Sequence, residues 1–134
     1  MTNIEKVNEF LDKAGLWFFL TTDGTQPKGR PFRFHLLKDD KIYFGTGTFK
    51  KVFRQIQQNP RVEVFASAEG KFMRYDGTVV FEKNDTLAKE VLANAPQLQK
   101  IYNDETGYKL GMFHLENGHV EICSAIKTIE EFDL

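Results

Sequence analysis

Short segments in which apolar residues alternate with mostly polar neighbours constrain the fold of this chain more than any other feature. The alternation is clearest at Val62, Val64, Ala66 and Ala68. The other strand-like runs are 16–22, 28–37, 41–46, 71–82, 110–116 and 119–126. Because most connections between these runs are too short for a crossover helix, the pattern predicts about seven strands, nearly all antiparallel. No βαβ repeat is present, which argues against a doubly wound nucleotide-binding fold.

Helical periodicity is confined to segments beside or between these runs. Thr2 and Glu5 have the spacing of a capping box, and Gly15 marks the end of that first helix. A second helix is predicted after the third strand, with Thr48 as its cap and Asn59-Pro60 as its end. Its buried stripe consists of Phe49, Val52, Phe53 and Ile56. The remaining helical predictions are 84–95, 96–102 after a break at the proline, and a last turn over 128–131.

Two sequence signals indicate irregular points in the strands. Gly77 interrupts a long strand and predicts a bulge. The dipeptide Asn117-Gly118 lies between two apolar runs, which predicts the turn of a final hairpin.

Overall composition limits the domain organisation and the classes of function. A chain of 134 residues and 15.5 kDa has room for one domain, 1–134. The net charge of −1 provides no general attraction for nucleic acid or an acidic membrane surface, so we expect neither as a partner. The single cysteine, Cys123, excludes an internal disulfide and a thiolate metal cluster. Its alternating apolar surroundings predict a buried thiol.

The N-terminal sequence and the apolar runs bear on location. The chain opens on polar residues instead of a basic segment followed by an apolar one, which argues against a signal peptide. Its longest dense apolar run, Leu16 to Leu20, is too short to span a bilayer. We therefore expect a cytoplasmic protein.

The 13 phenylalanines are in excess of ordinary usage and suit a filled barrel core or a pocket for a flat ligand.

The segment 44–51 passes from a strand through a turn into a helix and has the chemistry of a phosphate cradle. It carries small, hydroxyl and cationic residues: Gly45, Thr46, Gly47, Thr48, Lys50 and Lys51. A helix start exposes unpaired N–H groups, and two lysines there oppose the helix dipole unless an anion lies between them. The spacing matches neither a Walker A loop nor the dinucleotide fingerprint. A capped surface helix with two solvated lysines remains the alternative.

A second candidate segment, 29–35, contains two arginines. Unbroken alternation places Arg30, Phe32 and Phe34 on one face of a strand and Arg33 and His35 on the other. The planar guanidinium suits phosphate recognition, although an arginine on a half-solvated strand is also ordinary. Pro31 removes one ladder donor, which favours an edge where a ligand could meet the backbone.

The remaining polar residues give weaker signals. Arg74 and Asp76 fall on one side of a strand, where they could form an ion pair or orient a ligand or a partner subunit. The three histidines, His35, His114 and His119, lack metal-motif spacing. No arrangement of residues supports hydrolase chemistry.

The succession of motifs resembles the pyridoxamine-phosphate-oxidase-like split barrels over nearly the whole chain. The matching motifs, in order, are Gly24-x-x-Pro27, Arg30-Pro31-Phe32, Phe44-x-Thr46-x-Thr48-x-Lys50-Lys51 and Gln58-Asn59-Pro60-Arg61-Val62. Arg74-x-x-Gly77 and Ala95-Pro96 with Ile101-Tyr102 are similar to a short bacterial clade of nitroimidazole-resistance-type and general-stress-type flavoproteins.

This resemblance implies a mainly β (α+β) fold, a six-stranded antiparallel split β-barrel with peripheral helices. It further implies a homodimer with one FMN in each of two clefts at the subunit interface. The turn formed by Thr46, Gly47, Thr48, Lys50 and Lys51 is then expected to hold the FMN phosphate with help from Arg30. The backbone of Pro31 and Phe32 is expected to lie along the isoalloxazine ring. The chain ends at Leu134, without the segment that holds substrate phosphate in true oxidases, so vitamin B6 oxidation is not expected.

The function expected from the resemblance is that of an FMN-dependent oxidoreductase. Electrons would pass from a reduced nicotinamide or another donor to a small acceptor such as a quinone or a nitro compound. His35 and Tyr75 are candidate proton donors. Three alternatives stay open: a non-enzymatic electron carrier or flavin store, a haem-binding split barrel with His114 or His119 as axial ligand, and a structural module.

Overall fold

The computed structural model describes residues 1–134, in which four helices and eight strands follow one another. The helices are α1 (Asn3–Ala14), α2 (Lys51–Gln58), α3 (Thr86–Ala93) and α4 (Pro96–Gln99). The strands are β1 (Trp17–Asp23), β2 (Gln26–Phe32), β3 (Leu36–Lys38), β4 (Lys41–Gly47), β5 (Arg61–Ala68), β6 (Lys71–Phe81), β7 (Leu110–Cys123) and β8 (Thr128–Asp133). None of the helices is long and apolar enough to cross a membrane.

All eight strands belong to one antiparallel sheet. Its order is β2-β1-β5-β6-β7-β4-β3, and β8 pairs with the second half of β7. Six strands remain when β2 and β3 are counted as one interrupted strand and β8 is set aside. The predicted antiparallel barrel with peripheral helices is therefore confirmed, with a small difference in strand count.

The two ends of the sheet lie close together because the chain itself joins them. β2 and β3 occupy opposite ends of the hydrogen-bonded order, yet only Arg33, Phe34 and His35 separate them. The four residue steps from Phe32 to Leu36 span at most roughly 14 Å. The sheet must therefore curl, leaving a seam between β2 and β3 instead of a closed ladder.

Aromatic side chains fill the inside of the curled sheet. Trp17 and Phe44 have ring centroids 5.2 Å apart, and Phe113 lies 5.8 Å from Phe44 and 5.5 Å from Phe19. All four are fully buried, and α1 adds Val7 and Leu11 to the same cluster. The phenylalanine surplus thus serves in large part to fill the barrel. Cys123 is buried, as its surroundings predicted.

Several local predictions need correction. The predicted strand 28–37 is interrupted between β2 and β3, so the expected alternation stops at Phe32. Residues 128–131 begin β8 instead of a helical turn, because a ladder with β7 satisfies their backbone. Thr48 does not cap α2: Lys50 is its N-cap residue, and the Thr48 N–H donates to the carbonyl of Lys109 at 2.9 Å. The helical break at Pro96 is confirmed.

The predicted hairpin at Asn117-Gly118 is wrong, whereas the bulge at Gly77 is confirmed. β7 continues through Asn117, whose φ of 54° lies in the left-handed region. The β6–β7 register shifts between Asp76 and Thr78, where Asn117 and Gly118 on β7 form a bulge opposite the single residue Gly77 on β6. A Cβ atom on Gly77 would lie 3.0 Å from the carbonyl oxygen of Glu116, so the close approach of the two strands favours glycine there.

Candidate functional site

A cleft of about 270 Å³ lies at the seam of the sheet. The segment from Arg30 to Phe34 borders it on one side, and the end of β4 and the start of α2 border it on the other. The remaining lining comes from the α4 region and β7, namely Leu98, Ile101, Tyr102 and Leu110. The charged residues that line the cleft are Arg30, Arg33 and Lys50, and no carboxylate is among them. A cleft with three cations and no acid is suited to an anionic ligand.

Arg30 is held by a polar network that reaches from β2 to α2. It donates from Nη1 to the carbonyl of Phe19 at 3.0 Å and to the hydroxyl of Thr21 at 2.8 Å. Its Nη2 donates to Oε1 of Gln55 at 2.8 Å, and Thr21 donates to the same oxygen at 2.6 Å. Burial lowers the pKa of Arg30 from its usual value, but the group remains a cation at neutral pH. A guanidinium has five N–H donors, so two are still free to face the cleft.

The start of α2 presents unpaired donors at the same cleft. The side chain of Lys50 makes no capping hydrogen bond, and no acidic residue occupies the first turn. The N–H groups of Lys51 and Val52 have no acceptor within the chain. Lys50 and Val52 both line the cleft. An uncapped helix start beside a lysine attracts an anion through N–H donors and the helix dipole together.

The structure brings five of the eight predicted cofactor-binding residues to this cleft: Arg30, Pro31, Phe32, Thr46 and Lys50. Gly47 lies beneath the turn, where a Cβ atom would be 2.6 Å from the Phe49 ring and 3.0 Å from the Tyr102 hydroxyl. Thr48 faces a second and larger cavity, and Lys51 is exposed at the first position of α2. The two lysines are therefore not equivalent, since only Lys50 lines the cleft.

Three residues of this region were not singled out for a role from the sequence. Thr21 and Gln55 are buried and fix Arg30, but only the pairing of β1 with β2 and the docking of α2 bring them together. Tyr102 lines the cleft, is 8% exposed, and its hydroxyl has no hydrogen-bond partner in the protein. Burial raises the pKa of Tyr102, which keeps its proton in place as a donor at neutral pH. The sequence pointed to it only as part of the motif Ile101-Tyr102, without a role.

The two candidate proton donors lie elsewhere. The ring of His35 contacts α1, with Nδ1 2.9 Å from Oδ1 of Asn8 and Nε2 3.1 Å from Oδ1 of Asp12. Burial lowers the pKa of His35. Tyr75 is 2% exposed in the core, where burial raises its pKa. Neither residue lines the cleft.

The two candidate haem ligands are also outside the cleft and are engaged by carboxylates. Nε2 of His114 lies 3.0 Å from Oε2 of Glu116. The two ring nitrogens of His119 each lie 2.7 Å from a carboxylate oxygen, one of Glu131 and one of Asp133. A third pairing differs from expectation: Arg74 contacts Glu121 at 3.4 Å instead of Asp76.

Comparison with known proteins identifies the family. A family model described as pyridoxamine 5'-phosphate oxidase matches residues 4–122. No curated protein matches the chain. The crystal structure of a NimC/NimA family protein from Clostridium acetobutylicum is 29% identical, with a TM-score of 0.86, over 100% of this chain and 95% of that one.

Two more distant structures share the fold. A pyridoxamine 5'-phosphate oxidase-related, FMN binding protein from Nostoc punctiforme has a TM-score of 0.64 at 14% identity, over 99% of this chain and 90% of that one. A heme binding protein from Mycobacterium smegmatis has a TM-score of 0.72 at 13% identity, over 99% of this chain and 58% of that one. Because the family match spans most of the 134 residues, the chain belongs to the pyridoxamine 5'-phosphate oxidase family.

Proposed function

We propose that the protein is an FMN-binding flavoprotein that passes electrons from a reduced nicotinamide or another donor to a small acceptor. The observation that carries the proposal is the cleft at the seam, where three cations and an uncapped helix start converge with no carboxylate among the lining residues. A related protein of this fold is described as FMN binding. The donor set fits a phosphate monoester, which is the charged group of FMN.

Each group at the charged end of the cleft has a distinct role in this proposal. Lys50 supplies a mobile cation, and the N–H groups of Lys51 and Val52 supply fixed donors along the helix axis. Arg30 supplies a planar cation whose position is set by Gln55 and Thr21. A flavin bound there would supply the hydride and electron chemistry, while the protein orients it and limits access of water.

The other end of the cleft is suited to a flat ring. Pro31, Phe32 and Phe34 lie along one side, and Leu98 and Ile101 lie along the other. The cleft volume of about 270 Å³ is below the roughly 300–1,000 Å³ of ordinary cofactor pockets, so one protomer encloses only part of such a ligand. A second protomer is therefore expected to complete the site.

The outer face of the sheet supports a homodimer. Phe18 is 44% exposed and points away from the core. It lies opposite Pro31 on one neighbouring strand and Phe65 on the other, and Leu20 follows on the same face. This apolar patch continues from the cleft at Pro31, and an interface there would bury it.

We further propose the reducing cytoplasm as the compartment, since Cys123 is a free thiol.

The first experiment is an absorption spectrum of the purified protein, before and after addition of FMN and removal of the excess. Retained flavin bands would support the proposal, and a Soret band would replace it with haem binding. Failure to retain FMN would remove the flavoprotein proposal. Reduction of the bound flavin by NADH or NADPH, followed by reoxidation with a quinone or nitro compound, then separates an oxidoreductase from an electron carrier or flavin store.

A further inference from the structure

A second cavity, of about 640 Å³, lies on the other side of the turn that precedes α2. It is open to solvent on one side and is lined by α2, α3, the segment 102–109 and the adjoining ends of β6 and β7. Thr48 faces this cavity, whereas Thr46 and Lys50 face the cleft at the seam. Tyr102 and Leu110 line both spaces and form their common wall.

The floor of the larger cavity is apolar and aromatic. Phe53 and Phe81 have ring centroids 5.1 Å apart and are joined by Leu92 and Met112 in the lining. A Cβ atom on Gly111 would lie 2.5 Å from the Phe53 ring, so the absence of a side chain there permits this ring position. Such a floor suits the face or edge of a flat apolar ring.

The charged lining of the larger cavity has the opposite balance to that of the cleft. Glu82, Asp85 and Asp104 outnumber Lys89 and Lys109. Asp85 and Lys89 form an ion pair at 3.3 Å, which leaves two carboxylates and one ammonium. The balance of one negative charge disfavours a phosphorylated ligand and is compatible with an uncharged or cationic one.

The segment 102–109, which forms one border of the cavity, is held in place by its own contacts. The rings of Phe49 and Tyr108 stack with centroids 3.9 Å apart and an angle of 19° between them. Asn103 and Thr106 exchange hydrogen bonds within the segment, including one from the Thr106 N–H to Oδ1 of Asn103 at 3.0 Å. These contacts fix this border of the cavity without a ligand.

We propose that the larger cavity is a second ligand site, which takes a flat aromatic molecule that is uncharged or cationic. Its volume lies within the roughly 300–1,000 Å³ of small-molecule pockets, and its lining combines an aromatic floor with a few polar groups. The proposal goes beyond the proposed function, since it holds whether or not the smaller cleft takes FMN.

The test uses three two-ring probes of nearly equal size: quinoline, N-methylquinolinium and naphthalene-2-sulfonate. Each is titrated into the apoprotein while backbone amide shifts are followed by NMR. We expect quinoline and N-methylquinolinium to shift the amides of Leu92 and Met112, and the sulfonate to bind about tenfold more weakly. Saturation with FMN should leave quinoline binding unchanged.

Two variants and one control locate the site. Leu92→Trp fills the cavity and should weaken quinoline binding about tenfold. Ala93→Trp adds the same indole at the next position of α3, where the residue is exposed and outside the cavity, and should bind as the unaltered protein does. Glu82→Lys should reverse the charge preference in favour of the sulfonate.

Several results would overturn the proposal. These are absence of binding by all three probes, undiminished binding by Leu92→Trp, and displacement of quinoline by FMN. Unchanged charge preference in Glu82→Lys would also contradict it, and this readout remains decisive if Leu92→Trp fails to fold.

Discussion

The Nη2 atom of Arg30 lies 2.8 Å from Oε1 of Gln55, which ties the strand at one side of the cleft to the helix whose start forms the other side. Gln55 is 5% exposed and accepts from Thr21 as well. The position of the arginine is therefore determined by a helix residue one turn beyond the charged end of the cleft.

Replacing Gln55 with Met should remove this tie while keeping the volume and helix propensity of the side chain. Thr21 and Arg30 would then each lose a buried acceptor, and we expect the free energy of unfolding to fall by about 1–3 kcal/mol. Urea denaturation measures the change. Gln58→Met on the exposed side of α2 is the control and should leave stability nearly unaltered; an equal loss in both variants would contradict the role of the network.

Combined substitution of Lys50→Ala and Lys51→Ala should weaken FMN binding at least about tenfold and leave the fold intact. Lys50 lines the cleft, and both lysines are exposed, so no core contact is lost. Fluorescence quenching of FMN added to the apoprotein gives the Kd. The control pair Lys41→Ala and Lys83→Ala removes the same charge from exposed positions outside the cleft. Equal affinity in both double variants would rule out the phosphate cradle.

Tyr102→Phe should raise the Kd for FMN several-fold without lowering the melting temperature. Tyr102 lines the cleft and its hydroxyl has no protein partner, so removal of the hydroxyl costs the fold little while a bound ligand loses a donor worth about 1 kcal/mol. Tyr43→Phe is a matched control, since Tyr43 is also 8% exposed and unpartnered at its hydroxyl but lines neither cavity. An equal rise in the Kd for FMN in both variants would show that the Tyr102 hydroxyl has no specific role in binding.

The attachment of β8 should weaken as the pH rises through about 8. Asp133 accepts from Nδ1 of His119 and Glu131 accepts from Nε2, and together they raise the pKa of His119 to about 8. Asp76 on β6 and Glu121 on β7 lie nearby on the same face of the sheet. The folded protein then holds a proton that the unfolded chain releases near pH 6.5. The stabilisation is complete below that value and is lost as the pH passes about 8.

Unfolding free energies at pH 6 and pH 9 measure this effect. His119→Gln should show a smaller difference between the two values than the unaltered protein does. His114→Gln is the comparison on the same strand. An unchanged pH dependence of stability in His119→Gln would mean that protonation of His119 beside Asp133 and Glu131 does not stabilise the fold.

Local patterns predicted most of the fold because each rests on residues close in the chain. Alternation indicated the strands, and Gly77 and Pro96 indicated a bulge and a helical break that the structure contains. Asn117-Gly118 misled because the same dipeptide suits a tight turn and a bulge, and only pairing with β6 and β8 decides between them. Thr128 and Glu131 misled for the same reason, since a ladder with β7 outweighs a local capping signal.

The candidate site was predictable to the extent that it lies in two short segments. Arg30, Thr46 and Lys50 each carry a recognisable chemistry beside a turn or an edge, and the seam brings them together. Thr21 and Gln55 acquire their role only when β1, β2 and α2 meet. That meeting depends on contacts between residues 34 apart in the sequence, which no local pattern contains.

The position of β7 in the sheet has a consequence for synthesis on the ribosome. β7 lies between β6 and β4, and β8 joins it beyond the end of β4. Until residues 110–123 have emerged, the nascent chain therefore holds two strands with open edges and no partner between them. The barrel can close only in the last stage of translation, and the interval before it closes is when the chain is most exposed to pairing with other chains.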